Sequence, residues 1–245
     1  MTPSSPPSRL GAVLSVTFLL LASRVLADDA IDTTNYHSTR DLFSGFQELA
    51  AKGCQLQLLA HCAGESEDCI PSVRLFSSAR PAKHRALLLF GEHARELITT
   101  ETALQLASLL CFPAEEDPEL ASAVRRLRAS AELLLFPAVN LQGRLRVERN
   151  GDYCLRVNKN GVDLNRNWAE HFAPPSSSAD EAQVNPGSSP FSEPETRVLR
   201  DTAHEFRPDV FVSVHSGSLG MFTPPAFSAE VRGRSLRVVF LFFVL

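Results

Sequence analysis

A histidine and a glutamate three residues apart, His93 and Glu96, stand where a short apolar run ends and a helical pattern begins. Side chains at this spacing occupy neighbouring positions of one helical turn, so both could bind the same ion. A second histidine, His215, follows another apolar run. Two histidines and one carboxylate leave a fourth position for water, which is typical of a catalytic rather than a structural zinc site. The pair alone is weak evidence, because most such pairs lie on a solvated helix face.

A second polar segment, Gly161–Trp168, carries a carboxylate, a guanidinium and two amides within a few residues. Arg166 could bind a carboxylate through two parallel hydrogen bonds, and Asn165 could add a neutral donor. The segment therefore predicts an anion pocket. The alternative is a turn-rich loop with scattered charge.

The elements that must position these residues alternate between strands and helices. A strand is predicted at Cys54–Ala60, and apolar runs predict buried strands at Ala86–Phe90, Leu133–Val139 and Asp209–Val214. Helices are predicted at Glu96–Cys111, at Glu119–Ala131, and from a Ser192–Glu195 capping box to Phe206. Gly143–Asn167 lacks periodicity and is predicted as a loop. This order predicts an α/β fold with a covered, mostly parallel sheet, and such sheets bind ligands at the carboxyl ends of their strands.

Composition excludes several classes of function. The chain has 245 residues, of which 44% are hydrophobic, and a net charge of −4. These proportions are ordinary for a globular protein, and they predict no general attraction to nucleic acid or to an anionic membrane. Any function must therefore come from a local site. The sequence leaves the oligomeric state open.

The N-terminal residues 1–27 have the pattern of a cleaved signal peptide, with an uncharged run at Leu10–Leu21 after Arg9. This predicts secretion to the extracellular space without a membrane anchor after cleavage, with a vacuole or lysosome-like compartment as the alternative. In an oxidising compartment the five cysteines predict two disulfides and one spare thiol. Their spacing leaves the pairing open.

Four motifs in order resemble the zinc metallocarboxypeptidase family, in particular the plant and algal members of its carboxypeptidase A-like branch. They are GEHARELITTE (Gly91–Glu101), GVDLNRNW (Gly161–Trp168), NPGSSPFSEPET (Asn185–Thr196) and VHSG (Val214–Gly217). The resemblance covers about Leu87–Phe222, and four ordered motifs are far more specific than the histidine–glutamate pair alone. It implies the zinc carboxypeptidase-like fold, an α/β fold with a mixed, mostly parallel central sheet flanked by helices.

The resemblance implies one zinc ion per chain, with His93, Glu96 and His215 as its ligands. Asp163 matches the carboxylate that orients a ligand histidine and raises its basicity. The implied activity is release of C-terminal amino acids from peptide or protein substrates. Four residues match substrate contacts: Asn165 and Arg166 for the C-terminal carboxylate, Arg156 for the scissile carbonyl and its oxyanion, and Arg95 for a secondary contact.

The chain departs from the family pattern after His215. The family needs a general-base glutamate and a substrate-capping tyrosine downstream, but the 30 residues that follow contain no tyrosine and only one carboxylate, Glu230. We therefore expect a signal peptide at 1–27, an incomplete zinc carboxypeptidase-like domain at 28–227 with its last strands missing, and an unrelated tail at 228–245. Low activity is expected. The alternatives are a non-catalytic, zinc-containing protein that binds peptide C-termini, and an N-acyl amino acid deacylase, with which Asn140–Arg144 is compatible.

Overall fold

The computed structural model describes residues 35–63, 69–77, 81–113, 116–173, 183–217 and 220–222, together with the backbone of 237–243. The expected signal peptide and Glu230 lie outside the described residues. In chain order the described elements are α1 (Thr39–Ala51), β1 (Leu56–Cys62), β2 (Cys69–Leu75), β3 (His84–Leu89), α2 (Leu97–Cys111), α3 (Pro118–Ser130), β4 (Ala131–Phe136), α4 (Leu141–Asn150), α5 (Pro194–Phe206), β5 (Val210–Ser216), β6 (Gly220–Phe222) and β7 (Arg237–Phe243). None of these helices is long and apolar enough to cross a membrane.

The strands form one mixed sheet in the order β1-β2-β4-β3-β5-β7-β6. Strands β4, β3, β5 and β7 run parallel, whereas β1, β2 and β6 pair antiparallel with their neighbours. The predicted mixed α/β sheet is therefore confirmed. Residues 237–243 belong to the segment that the sequence set apart as a tail, and they form β7 along β5. Their run of valine and phenylalanine suits a strand, and it pairs with backbone groups that β5 would otherwise leave unpaired.

The sheet is covered on both faces, which explains why its central strands are continuously apolar. Along β4, Leu133 and Leu135 pack into one layer with residues of α1 and α2. The alternate residues, Leu134 and Phe136, pack into the opposite layer, which contains residues of α5. Successive side chains of a strand point to opposite faces, so each apolar pair serves a different layer.

The predicted loop at Gly143–Asn167 is wrong over its first part, which is helix α4. Its buried face includes an ion pair in which Arg144 Nε lies 2.8 Å from Glu148 Oε1. A polar pair in place of apolar side chains hid the helical periodicity. The residue types at the two ends are typical of helix caps. The Asn140 side chain accepts a hydrogen bond from Gly143 N at the start, and Gly151 ends the helix with φ +66°.

The predicted capping box before α5 is also wrong. The N-cap is Glu193, without a side-chain cap, and Ser192 Oγ instead donates to Glu193 Oε1 at 2.8 Å. Ser192 Oγ also accepts from Asn167 Nδ2 at 2.8 Å, so the serine holds two segments together rather than starting the helix.

The cysteines form two disulfides, Cys54–Cys111 and Cys62–Cys69, and Cys154 is a free, exposed thiol. The predicted two disulfides and one spare thiol are confirmed. Cys54–Cys111 joins the residues before β1 to the end of α2, the helix that begins directly after Glu96. This disulfide therefore anchors the far end of an element that starts at the candidate metal centre.

Candidate metal centre

Adjacent parallel strands carry the three candidate metal ligands to one place. His93 and Glu96 lie in the turn between β3 and α2, and His215 lies near the carboxyl end of β5, which pairs with β3. The turn begins at Gly91 with φ +60°, where an added Cβ would lie 2.9 Å from Thr100 Cγ2 and 3.2 Å from Ala138 Cα. Only glycine fits this conformation and this space, so Gly91 allows the chain to turn sharply into the site.

The three side chains converge on a common point. His93 Nδ1 lies 2.7 Å from Glu96 Oε1, and His215 Nδ1 lies 3.1 Å from Glu96 Oε2. The two Nδ1 atoms are 3.2 Å apart. One candidate ligand atom from each residue lies within 4.8 Å of the others, and all three residues are buried. This is the group that the sequence singled out as a metal-binding set.

Asp163 and Arg156 lie behind His93. Asp163 Oδ1 is 3.2 Å from His93 Nε2, and Asp163 Oδ2 accepts from Arg156 Nε at 2.9 Å. Arg156 NH1 lies 3.3 Å from His93 Nδ1, so the guanidinium lies beside the candidate ligand atoms. Burial by itself raises the pKa of Asp163, but His93 and Arg156 outweigh it and hold the pKa below its usual value. Asp163 is therefore ionised and links the arginine to the histidine.

Sequence reasoning missed two residues behind the other histidine, Glu92 and Ser213. His215 Nε2 lies 2.9 Å from Ser213 Oγ and 3.3 Å from Glu92 Oε2, and Ser213 Oγ donates to Glu92 Oε2 at 3.0 Å. A period-two pattern could have found Ser213, since it precedes His215 by two residues on the same strand. No local pattern marks Glu92, because its contact depends on how β3 and β5 pair.

The shifted pKa values of His215 and Glu96 indicate that the site favours positive charge. Burial by itself lowers the pKa of His215, but hydrogen bonds and charge from Glu92 and Glu96 raise it to about 9. Burial raises the pKa of Glu96, yet hydrogen bonds from His215 and His93 lower it to about 2. The raised pKa of His215 favours its positively charged form, and the lowered pKa of Glu96 favours the carboxylate beside it.

The donor set and the charge both fit a zinc ion. Three carboxylates (Glu92, Glu96 and Asp163) face one guanidinium (Arg156), which leaves a formal charge of −2 when the histidines are neutral. Buried charges in proteins are paired or coordinate a metal, and a divalent ion would balance this excess. Two imidazole nitrogens and a carboxylate are donors that zinc accepts.

The predicted substrate residues lie around this group. Arg156 is partly buried, whereas Arg95 and Arg166 are exposed. Arg95 NH1 donates to Cys154 O at 3.3 Å, which is two residues before Arg156. Asn165 N donates to Asp163 Oδ1 at 3.0 Å, and Arg166 NH1 donates to Asn165 O at 3.1 Å. The structure thus connects Arg156 and Asn165 to the metal centre through Asp163, and it leaves Arg95 and Arg166 facing solvent.

The buried amide of Asn167 fixes the segment that carries Asn165 and Arg166. Its Nδ2 donates to Pro186 O at 2.7 Å and to Ser189 O at 3.1 Å, and its Oδ1 accepts from Thr196 Oγ1 at 2.6 Å. These bonds tie the GVDLNRNW motif to the NPGSSPFSEPET motif. The two motifs therefore hold each other in position beside the metal centre.

The family profile and the curated proteins that this chain matches all belong to one family. Residues 63–237 match the family profile described as zinc carboxypeptidase. Carboxypeptidase A2 of Mus musculus is 27% identical over 203 residues, which cover 77% of this chain and 46% of that protein. Zinc carboxypeptidase A 1 of Anopheles gambiae is 26% identical over 219 residues, which cover 83% of this chain and 48% of that protein. The chain thus spans about half the length of the curated relatives it matches.

Two solved structures share the fold of this chain. The crystal structure of thrombin activatable fibrinolysis inhibitor superposes with a TM-score of 0.67 at 22% identity, over 82% of this chain and 51% of that one. The carboxypeptidase A of Helicoverpa armigera gives a TM-score of 0.62 at 21% identity, over 87% of this chain and 55% of that one. At these identities the likeness establishes the architecture.

Proposed function

Because the chain belongs to the zinc carboxypeptidase family, we propose that it is a zinc metallocarboxypeptidase that releases C-terminal amino acids from peptides. The observation that carries this proposal is the convergence of His93 Nδ1, His215 Nδ1 and the Glu96 carboxylate, with one candidate ligand atom from each within 4.8 Å of the others. Two histidines and one carboxylate are the protein ligands of a catalytic zinc with an open position. We propose one zinc ion per chain, held by these three residues.

When bound, zinc would act as a Lewis acid that polarises the scissile carbonyl and lowers the pKa of water. Arg156 stabilises the negative charge that develops on the carbonyl oxygen. Two observations support this role: its NH1 lies 3.3 Å from His93 Nδ1, and its Nε is held by Asp163 at 2.9 Å. A donor fixed before the reaction needs no reorganisation when the charge appears.

Asn165 and Arg166 bind the C-terminal carboxylate of the peptide, and Arg95 supplies a secondary contact. The exposed guanidinium of Arg166 suits a two-point contact with a carboxylate. A requirement for a free terminal carboxylate makes the enzyme an exopeptidase.

The proposed reaction needs a general base as well as a metal ion. The family's glutamate lies downstream of the last zinc histidine, where this sequence offers only Glu230. Removing a general base commonly costs about 10²- to 10⁴-fold in rate. We therefore propose that the 245-residue chain by itself turns peptides over slowly.

A second candidate follows from the same observation. If the proposed metal ligands and carboxylate-binding residues act without a general base, the chain binds peptide C-termini through zinc, Asn165 and Arg166 without cutting them. The deacylase alternative has less support, because Asn140 caps α4 and Arg144 is committed to a buried ion pair. Neither residue is free to bind an acyl group.

The test uses a peptide as the free acid and as its C-terminal amide, with the purified chain in the presence and absence of zinc. We expect zinc-dependent binding of the free acid, no binding of the amide, and slow release of the terminal residue. Arg166→Gln should abolish the preference for the free acid. Arg200→Gln should not, because this partly exposed arginine on α5 bonds to Asp201.

Equal binding of acid and amide would overturn the carboxypeptidase proposal. Free-acid binding with no detectable turnover would favour the binding protein, and rapid turnover would contradict the slow rate.

We further propose that the protein is secreted. Two disulfides support an oxidising compartment such as the extracellular space. The proposed partners are the C-termini of peptides or proteins. Detection of the mature chain starting near residue 28 outside the cell would test this, and an intracellular full-length chain would contradict it.

A further inference from the structure

A buried carboxylate and a serine lie behind His215, on the side away from the candidate metal. His215 Nδ1 faces Glu96 and His93, while Nε2 faces Ser213 Oγ at 2.9 Å and Glu92 Oε2 at 3.3 Å. Both Glu92 and Ser213 are almost wholly buried, with exposed fractions of 2% and 1%. They therefore cannot touch a substrate, and any role they have must act through the histidine.

The hydrogen bonds behind His215 have a consistent direction. Ser213 Oγ donates its proton to Glu92 Oε2 at 3.0 Å, which leaves its oxygen free to accept from His215 Nε2. A histidine that carries its proton on Nε2 has the lone pair on Nδ1, the atom that faces Glu96 and His93. The chain of bonds from His215 through Ser213 to Glu92 thus selects the tautomer that a metal requires.

The two histidines have matching surroundings. His93 has Asp163 behind it, with 3.2 Å between His93 Nε2 and Asp163 Oδ1. Glu92 stands in the equivalent relation to His215. A carboxylate buried without a partner would be destabilising, so its presence needs a compensating contact, and His215 supplies one. The pairing of Leu89 on β3 with Ser213 on β5 brings the two segments together.

We propose that Glu92, acting with Ser213, is a positioning residue that fixes the tautomer and orientation of His215 for metal binding. This inference rests on the proposed zinc site. Carboxylates behind ligand histidines typically contribute about 10- to 100-fold in metal affinity. Glu92 should therefore affect how tightly zinc is held, whether or not the chain turns over peptides.

The experiment measures the zinc dissociation constant of the whole chain by competition with a chromophoric chelator. We expect Glu92→Gln to weaken zinc binding by about 10- to 100-fold, because the amide keeps the size but loses the charge. Glu92→Asp, which keeps a carboxylate, should recover part of the loss. The matched control is Glu193→Gln, a buried glutamate on the N-terminal side of α5 that contacts Asn158 and Asn160, which should leave the constant unchanged.

A spectroscopic readout separates positioning from a loss of fold. With cobalt in place of zinc, Glu92→Gln should shift the visible absorption bands, since the orientation of a ligand changes, while Glu193→Gln should not. If Glu92→Gln does not fold, Ser213→Ala decides the question by removing only the middle of the chain of bonds. Unchanged zinc affinity and unchanged cobalt spectra in the folded variants would overturn the inference. A wild-type chain that binds no zinc would instead overturn the proposed function.

Discussion

The two disulfides should contribute unequally to the free energy of unfolding. Cys54–Cys111 joins residues 57 apart, whereas Cys62–Cys69 joins residues only 7 apart. A cross-link stabilises by restricting the unfolded chain, and the effect grows with the logarithm of the loop length. The chain-entropy relation gives about 4 kcal/mol for the longer loop and about 2.4 kcal/mol for the shorter one. The first disulfide should thus be worth roughly 2 kcal/mol more than the second.

The perturbation is a pair of double variants, Cys54→Ala with Cys111→Ala, and Cys62→Ala with Cys69→Ala. Both are made in a Cys154→Ser background, so that the free thiol cannot exchange with the remaining disulfide. Urea unfolding at constant zinc gives the free energies, and Trp168, the only tryptophan, reports the transition because it packs against Phe191 and Phe211. Equal losses, or a larger loss for the shorter loop, would refute the reasoning.

Two further predictions concern buried polar groups. Arg144→Met should cost about 3–5 kcal/mol because it leaves the buried Glu148 carboxylate without its positively charged partner. Combining it with Glu148→Leu should cost much less than the sum, and additive losses in urea unfolding would contradict this. Burial lowers the pKa of His61 below its ordinary value of 6.5, although the charge of Glu205 partly opposes this. Because the unfolded chain then binds the proton more readily, stability should fall as the pH drops below about 6.5 towards the folded pKa. The loss between pH 7.5 and 5.5 should be smaller in His61→Gln, and an identical loss would contradict the assignment.

The candidate metal ligands could be predicted because four ordered motifs, which include all three residues, resemble one family. His93 and Glu96 share one turn, and His215 ends a strand, where parallel sheets gather their ligands. The number of disulfides followed from the composition, but the partner of Cys54 did not, since the pairing depends on how α2 packs against the start of β1.

Sequence reasoning missed one helix and the two residues behind His215. Helix α4 was missed because Arg144 and Glu148 occupy its buried face and break the apolar periodicity. Glu92 was missed because only the pairing of β3 with β5 brings it to His215, whereas Ser213 lies on the same strand as His215 and a period-two pattern could have found it. A contact such as that between Glu92 and His215 can be predicted only when strand order and register are known.

The central claim is that His93, Glu96 and His215 hold one zinc ion. Anomalous diffraction at the zinc edge, from crystals of the zinc-loaded chain, tests it most directly. We predict a single strong peak among His93 Nδ1, His215 Nδ1 and the Glu96 carboxylate, and no peak there in crystals of a His215→Ala variant. A zinc ion bound elsewhere, or no peak at this position in the loaded wild-type chain, would contradict the account.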